Sequence, residues 1–100
     1  MTRHLTLICM AGISTSLLVN KMKRLIRNEN LEIAVTAMSE RAFQGYTGQT
    51  DVLLLGPQLG HRFESLKEQY ESKGIRIDRI DPEHFGAMDA KAVLEQAFPD

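Results

Sequence analysis

One hundred residues with 43% hydrophobic and 25% charged side chains sit close to the globular average, which excludes a disordered or fibrous chain and fits one domain spanning 1–100. A net charge of -1 excludes the concentrated positive footprint of a nucleic-acid reader, because such surfaces must displace counterions from phosphates. The single cysteine excludes an internal disulfide, and no Cys-x-x-Cys pair, dinucleotide G-x-G-x-x-G or nucleotide P-loop sequence is present.

Residues 3–9 predict a first strand, with Leu5, Leu7 and Ile8 apolar and Cys9 at its end. Residues 16–28 predict an amphipathic helix: Leu18, Met22, Leu25 and Ile26 recur at helical spacing, joined by Leu17, while Asn20, Lys21, Arg24 and Arg27 fill the other face. Over 31–38 the alternation of Leu31, Ile33, Val35 and Ala37 with a more polar set predicts a strand near a sheet edge. Ser39 is placed to cap a short helix through Phe43, and Gly45-Tyr46-Thr47-Gly48 breaks it.

The run Asp51-Val52-Leu53-Leu54-Leu55-Gly56 has the continuous apolar character of a central parallel strand. After Pro57, the residues Leu59, Phe63, Leu66 and Tyr70 share one helix face assigned to the core, and Gly74 supplies the stop. Ile75, Ile77 and Ile80 predict a fourth strand, and Asp89 caps a last helix that returns Val93, Leu94, Ala97 and Phe98 to the core.

Four strands alternating with helices imply right-handed crossovers and a parallel sheet covered on both faces. The expected fold is α/β: an open, doubly wound, flavodoxin-like three-layer sandwich with strand order 2-1-3-4. Ligands in such sheets bind beyond the carboxyl ends of the strands where the order reverses, here at the end of strand one, where Cys9 stands.

The segment Cys9-Met10-Ala11-Gly12-Ile13-Ser14-Thr15-Ser16 joins that strand to the first helix. Its backbone N–H groups can converge on an anion at the positive end of the helix, and the same setting favours the thiolate over the thiol. Gly12 permits close approach, and the hydroxyls of Ser14, Thr15 and Ser16 can donate to phosphate oxygens or cap the helix. A lone cysteine ending a strand is ordinarily a small buried hydrophobe; the glycine and three hydroxyls that follow it argue for a nucleophile instead.

The string from Cys9 to Val19, with Lys21-Met22 following, resembles the phosphocysteine loop of enzyme IIB in the lactose/cellobiose branch of the sugar phosphotransferase system. Asp51-Val52-Leu53-Leu54-Leu55-Gly56-Pro57-Gln58 resembles that family's third strand and turn, and Ile80-Asp81 ahead of Phe85-Gly86 resembles its approach to the last helix. The resemblance implies a cytoplasmic phosphoryl carrier in which Cys9 accepts a phosphoryl group from a histidine of the IIA component. It then passes that group to a sugar, a β-linked disaccharide such as cellobiose, chitobiose or lactose, held by the membrane IIC component. Met10 to Ser16 would surround the phosphoryl group, and no metal or cofactor is expected. Met10 stands where the family commonly has small or polar residues, and Phe85 where it usually has tyrosine.

Two other readings fit part of the pattern. Low-molecular-weight tyrosine phosphatases share the strand, cysteine loop and helix, but they need an arginine six residues after the nucleophile, where this chain has Thr15. Asp81-Pro82 resembles their general-acid pair, yet that dipeptide before a helix is ordinary turn and cap chemistry. A non-catalytic anion sensor would use the same loop without covalent chemistry.

His4, His61 and His84 lack ligand spacing, so no metal site is predicted. Lys21, Lys23, Arg24 and Arg27 make the first helix basic, with Lys21 and Arg24 as candidate partner-docking residues. The start of the chain lacks the features of a secretory leader, and the longest aliphatic run, Val52–Leu55, is far short of the roughly 20 residues that span a bilayer. The expected location is the cytoplasm, with peripheral association to the membrane permease.

Overall fold

The computed structural model describes residues 1–10 and 13–99, with the backbone alone for Ile13 and Ser14. Four strands, β1 (Arg3–Ile8), β2 (Ile33–Met38), β3 (Val52–Leu55) and β4 (Arg76–Arg79), form one parallel sheet in the order β2-β1-β3-β4. The order is the expected 2-1-3-4.

The pleat sorts the aliphatic residues into two cores. Leu5, Leu7, Val52 and Leu54 point to one face, where α1 (Ile13–Asn28) and α5 (Ala90–Ala97) cover them with Leu18, Met22, Val93 and Leu94. Ile8, Leu53, Leu55 and Ile77 point to the other face, covered by α2 (Glu40–Gln44) and α3 (Phe63–Tyr70) through Phe43, Leu66 and Tyr70. All four residues of β3 are buried, because a strand with neighbours on both sides and helices on both faces has no polar surface to meet. The edge strands alternate instead: Ile33 and Val35 are buried around exposed Ala34, and Ile77 sits between Arg76 and Asp78.

Several local features depart from expectation. β1 ends at Ile8, one residue before Cys9. α1 begins at Ile13 rather than Ser16, so the hydroxyl-bearing residues lie inside its first turn. Leu17 is 52% exposed and takes no part in the core.

The chain after Pro57 starts as a 3-10 turn, Pro57–Arg62, and becomes α-helical only at Phe63. Gly60 in its middle lowers helix propensity where an α-helix would have to propagate. The expected stripe still packs, with Leu59, Leu66 and Tyr70 buried and Phe63 partly so. Gly74, at φ 83, supplies the left-handed stop before β4.

A short helix, α4 (Pro82–Gly86), precedes α5. Pro82 occupies its first turn and the Asp81 carboxylate accepts from Glu83 N at 2.9 Å, an N-terminal arrangement that both residue types favour. Ser39 caps α2 by accepting from Ala42 N at 3.1 Å, and Asp89 caps α5 by accepting from Ala92 N at 3.0 Å.

Candidate functional site

Cys9 stands immediately beyond β1, at the carboxyl end of the sheet and between the ends of β2 and β3. Its N–H donates to Met38 O at 3.2 Å, continuing the β1–β2 ladder by one step. On the other side Gly56 N donates to Ile8 O at 2.8 Å. The residue is 7% exposed, so it is nearly buried at this end of the sheet. This is the position at which strand order reverses.

Of the loop residues expected to surround an anion, Ala11 and Gly12 lie outside the described residues. Met10 is 62% exposed, so its side chain projects away from the protein. Ile13, Ser14, Thr15 and Ser16 form the first turn of α1, and the first four N–H groups of a helix have no carbonyl partner within it. The helix begins at Ile13, four positions after the cysteine, so part of the predicted anion loop lies within its first turn. Thr15 is buried and Ser16 exposed.

Two further elements frame the crevice. Gly56 lies so close to Cys9 that a Cβ added there would sit 3.5 Å from the Cys9 Cβ and 3.5 Å from Ile8 O. Outside it, Arg62 donates from Nε and Nη2 to the two oxygens of Glu40, at 3.0 and 2.7 Å. Glu40 opens α2, just after β2, and Arg62 ends the turn after β3, so the pair links the two segments that flank the end of β1. The Arg62 guanidinium holds the Glu40 carboxyl below its ordinary value of 4.5.

Sequence reasoning did not assign Gly56, Glu40 or Arg62 to the site. The signal available was the string Gly56-Pro57-Gln58 directly after the apolar strand.

Lys21 and Arg24 are exposed on α1, but they are not brought to Cys9. Lys21 stands eight residues into the helix, about 12 Å along it at 1.5 Å per residue. Together with Lys91 of α5 they border a groove of about 430 Å³ floored by Leu25 and Met88. α1 carries four cations and no carboxylate in a chain whose net charge is -1, so the positive charge is concentrated on this one helix.

Asp81 is engaged as the cap of α4, and the nearby Gln96 side chain ties that turn to α5 by accepting from Asp81 N and donating to Asp78 and Arg79 O. Phe85 is buried in the core that α1 and α5 share.

Residues 5–96 match the family model described as "PTS system, Lactose/Cellobiose specific IIB subunit". The chain belongs to the lactose/cellobiose IIB family of the phosphotransferase system. Its relatives include the oligo-beta-mannoside-specific EIIB component of Bacillus subtilis (strain 168), 30% identical across 96% of this chain and 93% of the relative. The cellobiose-specific EIIB component of Lactococcus lactis subsp. lactis (strain IL1403) is 33% identical across 93% of this chain and 91% of its own length.

Among solved structures, the solution structure of a cellobiose-specific IIB component from Borrelia burgdorferi superposes with a TM-score of 0.80 at 30% identity. It covers 99% of this chain and 91% of that one. A lactose-specific IIB domain from Streptococcus pneumoniae superposes at 0.78 with 16% identity, covering 98% and 99%, and shares the flavodoxin-like fold. As a IIB component this chain takes part in sugar phosphotransfer alongside IIA and IIC components. Among the described residues no helix is long and apolar enough to cross a membrane.

Proposed function

We propose that this IIB chain, as one domain over 1–100, is a cytoplasmic phosphoryl carrier whose phosphorylated residue is Cys9. The observation that carries the reading is the position of Cys9: at the switch point of the sheet, between the end of β1 and the start of α1, whose first N–H groups have no carbonyl partner within the helix.

In the first step the Cys9 thiolate attacks phosphorus of the IIA phosphohistidine. The S–P bond forms as the N–P bond breaks, and the histidine nitrogen leaves with the electron pair. Charge on the equatorial oxygens is met by amide donors of Met10 to Ser16. In the second step a sugar hydroxyl held by the IIC component attacks the same phosphorus, the S–P bond breaks, and the thiolate is restored. The hydroxyl proton goes to a base that the permease supplies.

The absence of arginine six residues after Cys9, where Thr15 stands, suits a carrier. A guanidinium fork there would stabilise attack by water as well as by the sugar.

The sugar is a β-linked disaccharide such as cellobiose, chitobiose or lactose, and its identity resides in the permease. Relatives named for oligo-beta-mannoside, cellobiose and galactose all match this one small fold, which fits a carrier that does not itself select the sugar. The chain would meet the permease peripherally at the membrane surface.

The test is phosphoenolpyruvate-driven phosphorylation of cellobiose, chitobiose and lactose by vesicles holding the cognate IIC, with IIA and the general phosphotransferase proteins supplied. Wild type supports phosphorylation of one of these sugars and Cys9→Ser supports none. Turnover by Cys9→Ser would end the proposal.

The basic face of α1 is the proposed docking surface, with Lys21 and Arg24 as its centre. Charge complementarity acts mainly on encounter and is screened by salt. A Lys21→Glu/Arg24→Glu double variant should raise KM for IIA or IIC, with the difference from wild type shrinking as salt is added. Unchanged, salt-insensitive kinetics would remove the docking role.

A further inference from the structure

Among the described residues, Gln58, in the turn after β3, places its side chain beside the space next to Cys9. A methyl group placed at Cβ of residue 56 would lie 3.0 Å from Gln58 Oε1 and 3.5 Å from the Cys9 Cβ. The Gln58 amide and Cys9 therefore both border the methyl-sized space that Gly56 leaves open. Gln58 is exposed, so a half-turn about its last torsion exchanges the amide oxygen and nitrogen at little cost.

We propose that Gln58 contacts the transferring phosphoryl group, its side-chain N–H donating to an equatorial oxygen of the group on Cys9 Sγ. The inference rests on the Cys9 relay proposed above and adds a residue to it.

The placement matters chemically. A phosphoryl group in flight spreads its charge over three equatorial oxygens. The donors of α1 belong to the helical layer on one face of the sheet, whereas at Gln58 the chain has left β3 for the layer of α3 on the opposite face. The amide thus approaches from the side that α1 does not cover. A neutral donor suits a relay: it orients the oxygens without the charge neutralisation that an arginine would offer to an attacking water.

The same geometry explains the glycine. Gly56 has φ -59 and ψ 153, a backbone conformation open to any residue, so a requirement for glycine here concerns space and not torsion. An alanine would meet Cys9 and Ile8 at ordinary contact distance but would press on the end of the Gln58 side chain. Gly56→Ala is therefore a way to displace the amide while leaving Gln58 in the sequence.

The experiment measures single-turnover phosphoryl transfer from phosphorylated IIA, together with the phosphorus NMR shift of the phosphocysteine, in wild type, Gln58→Ala, Gln58→Glu and Gly56→Ala. Circular dichroism first confirms that each variant is folded. Loss of one transition-state donor slows transfer by about 10- to 100-fold in Gln58→Ala, below the loss for a buried oxyanion donor because this amide is exposed. Gly56→Ala shows a similar loss and a similar change in phosphorus shift. Gln58→Glu is slower still near neutral pH, where its carboxylate faces the phosphoryl oxygens, and recovers as the pH is lowered. Wild-type rates and shifts in both Gln58→Ala and Gly56→Ala would overturn the inference while leaving the relay intact. Failure of wild type to form phosphocysteine would instead overturn the relay, and this inference with it.

Discussion

At the end of the sheet where the strands begin, side chains hold the structure together. Asp51 accepts from His4 N at 2.7 Å, the Thr6 and Thr50 hydroxyls meet at 2.8 Å, and the Arg76 guanidinium donates to the carbonyls of Gln96 and Ala97 at the end of α5. Where β1 and β3 finish, backbone bonds join β1 to its neighbours, from Cys9 N to Met38 O and from Gly56 N to Ile8 O. Side-chain ties stand to either side of that gap, at Glu40–Arg62 and around Gln96. The difference teaches how one small sheet divides its labour: at one end polar side chains tie the strands to their neighbours, and at the other the side-chain ties stand aside from the end of β1, where Cys9 sits. Stability and chemistry should therefore be separable by mutation.

The largest stability effect is expected at the closed end. Asp51→Ala removes a charged acceptor from a strand N–H and should cost about 1–3 kcal/mol in urea unfolding, while the transfer rate per folded molecule stays at the wild-type value. Asp51→Asn keeps an acceptor and should recover part of the loss. A drop in intrinsic transfer rate in either variant would break the separation.

Gly74→Ala is expected to cost about 1–2 kcal/mol, because φ 83 places a Cβ in the left-handed region just before β4. Nothing lies within 4 Å of that Cβ, so the effect is one of torsion. A neutral result in thermal unfolding would contradict the conformation assigned to the turn.

The smallest effect concerns the brace beside the site. Because Arg62 holds the Glu40 carboxyl below its ordinary value, the pair stabilises the fold above about pH 4.5 and loses that contribution as pH falls through the lowered value. Both side chains are partly exposed, so the gain is modest. Glu40→Gln should be slightly less stable than wild type at neutral pH, and the two should converge in acid. A gap that widened in acid would reverse the assigned sign.

Much of the fold was legible because its signals are local. Four consecutive aliphatic residues closed by Gly56-Pro57 fit a short strand buried on both faces, which identified β3, and Asp89 before an apolar helical stripe located α5. The start of α1 was not legible, because Ser14, Thr15 and Ser16 are as acceptable at a cap as inside a first turn. Nor was the division at Gly60, where a continuous apolar stripe masked a change from 3-10 to α geometry. At the site, Cys9 stood out through the glycine and hydroxyls that follow it in sequence. Gln58 did not, because its approach to Cys9 depends on the parallel register that sets Ile8 opposite Leu55, a tertiary fact spanning nearly half the chain.

The central claim, that Cys9 carries the phosphoryl group, is tested most directly by phosphorus NMR. The protein is mixed with phosphoenolpyruvate, the general phosphotransferase proteins and a cognate IIA. A phosphocysteine resonance in wild type that vanishes in Cys9→Ser is the predicted result. A wild-type spectrum without that resonance, with IIA demonstrably phosphorylated, would contradict the account.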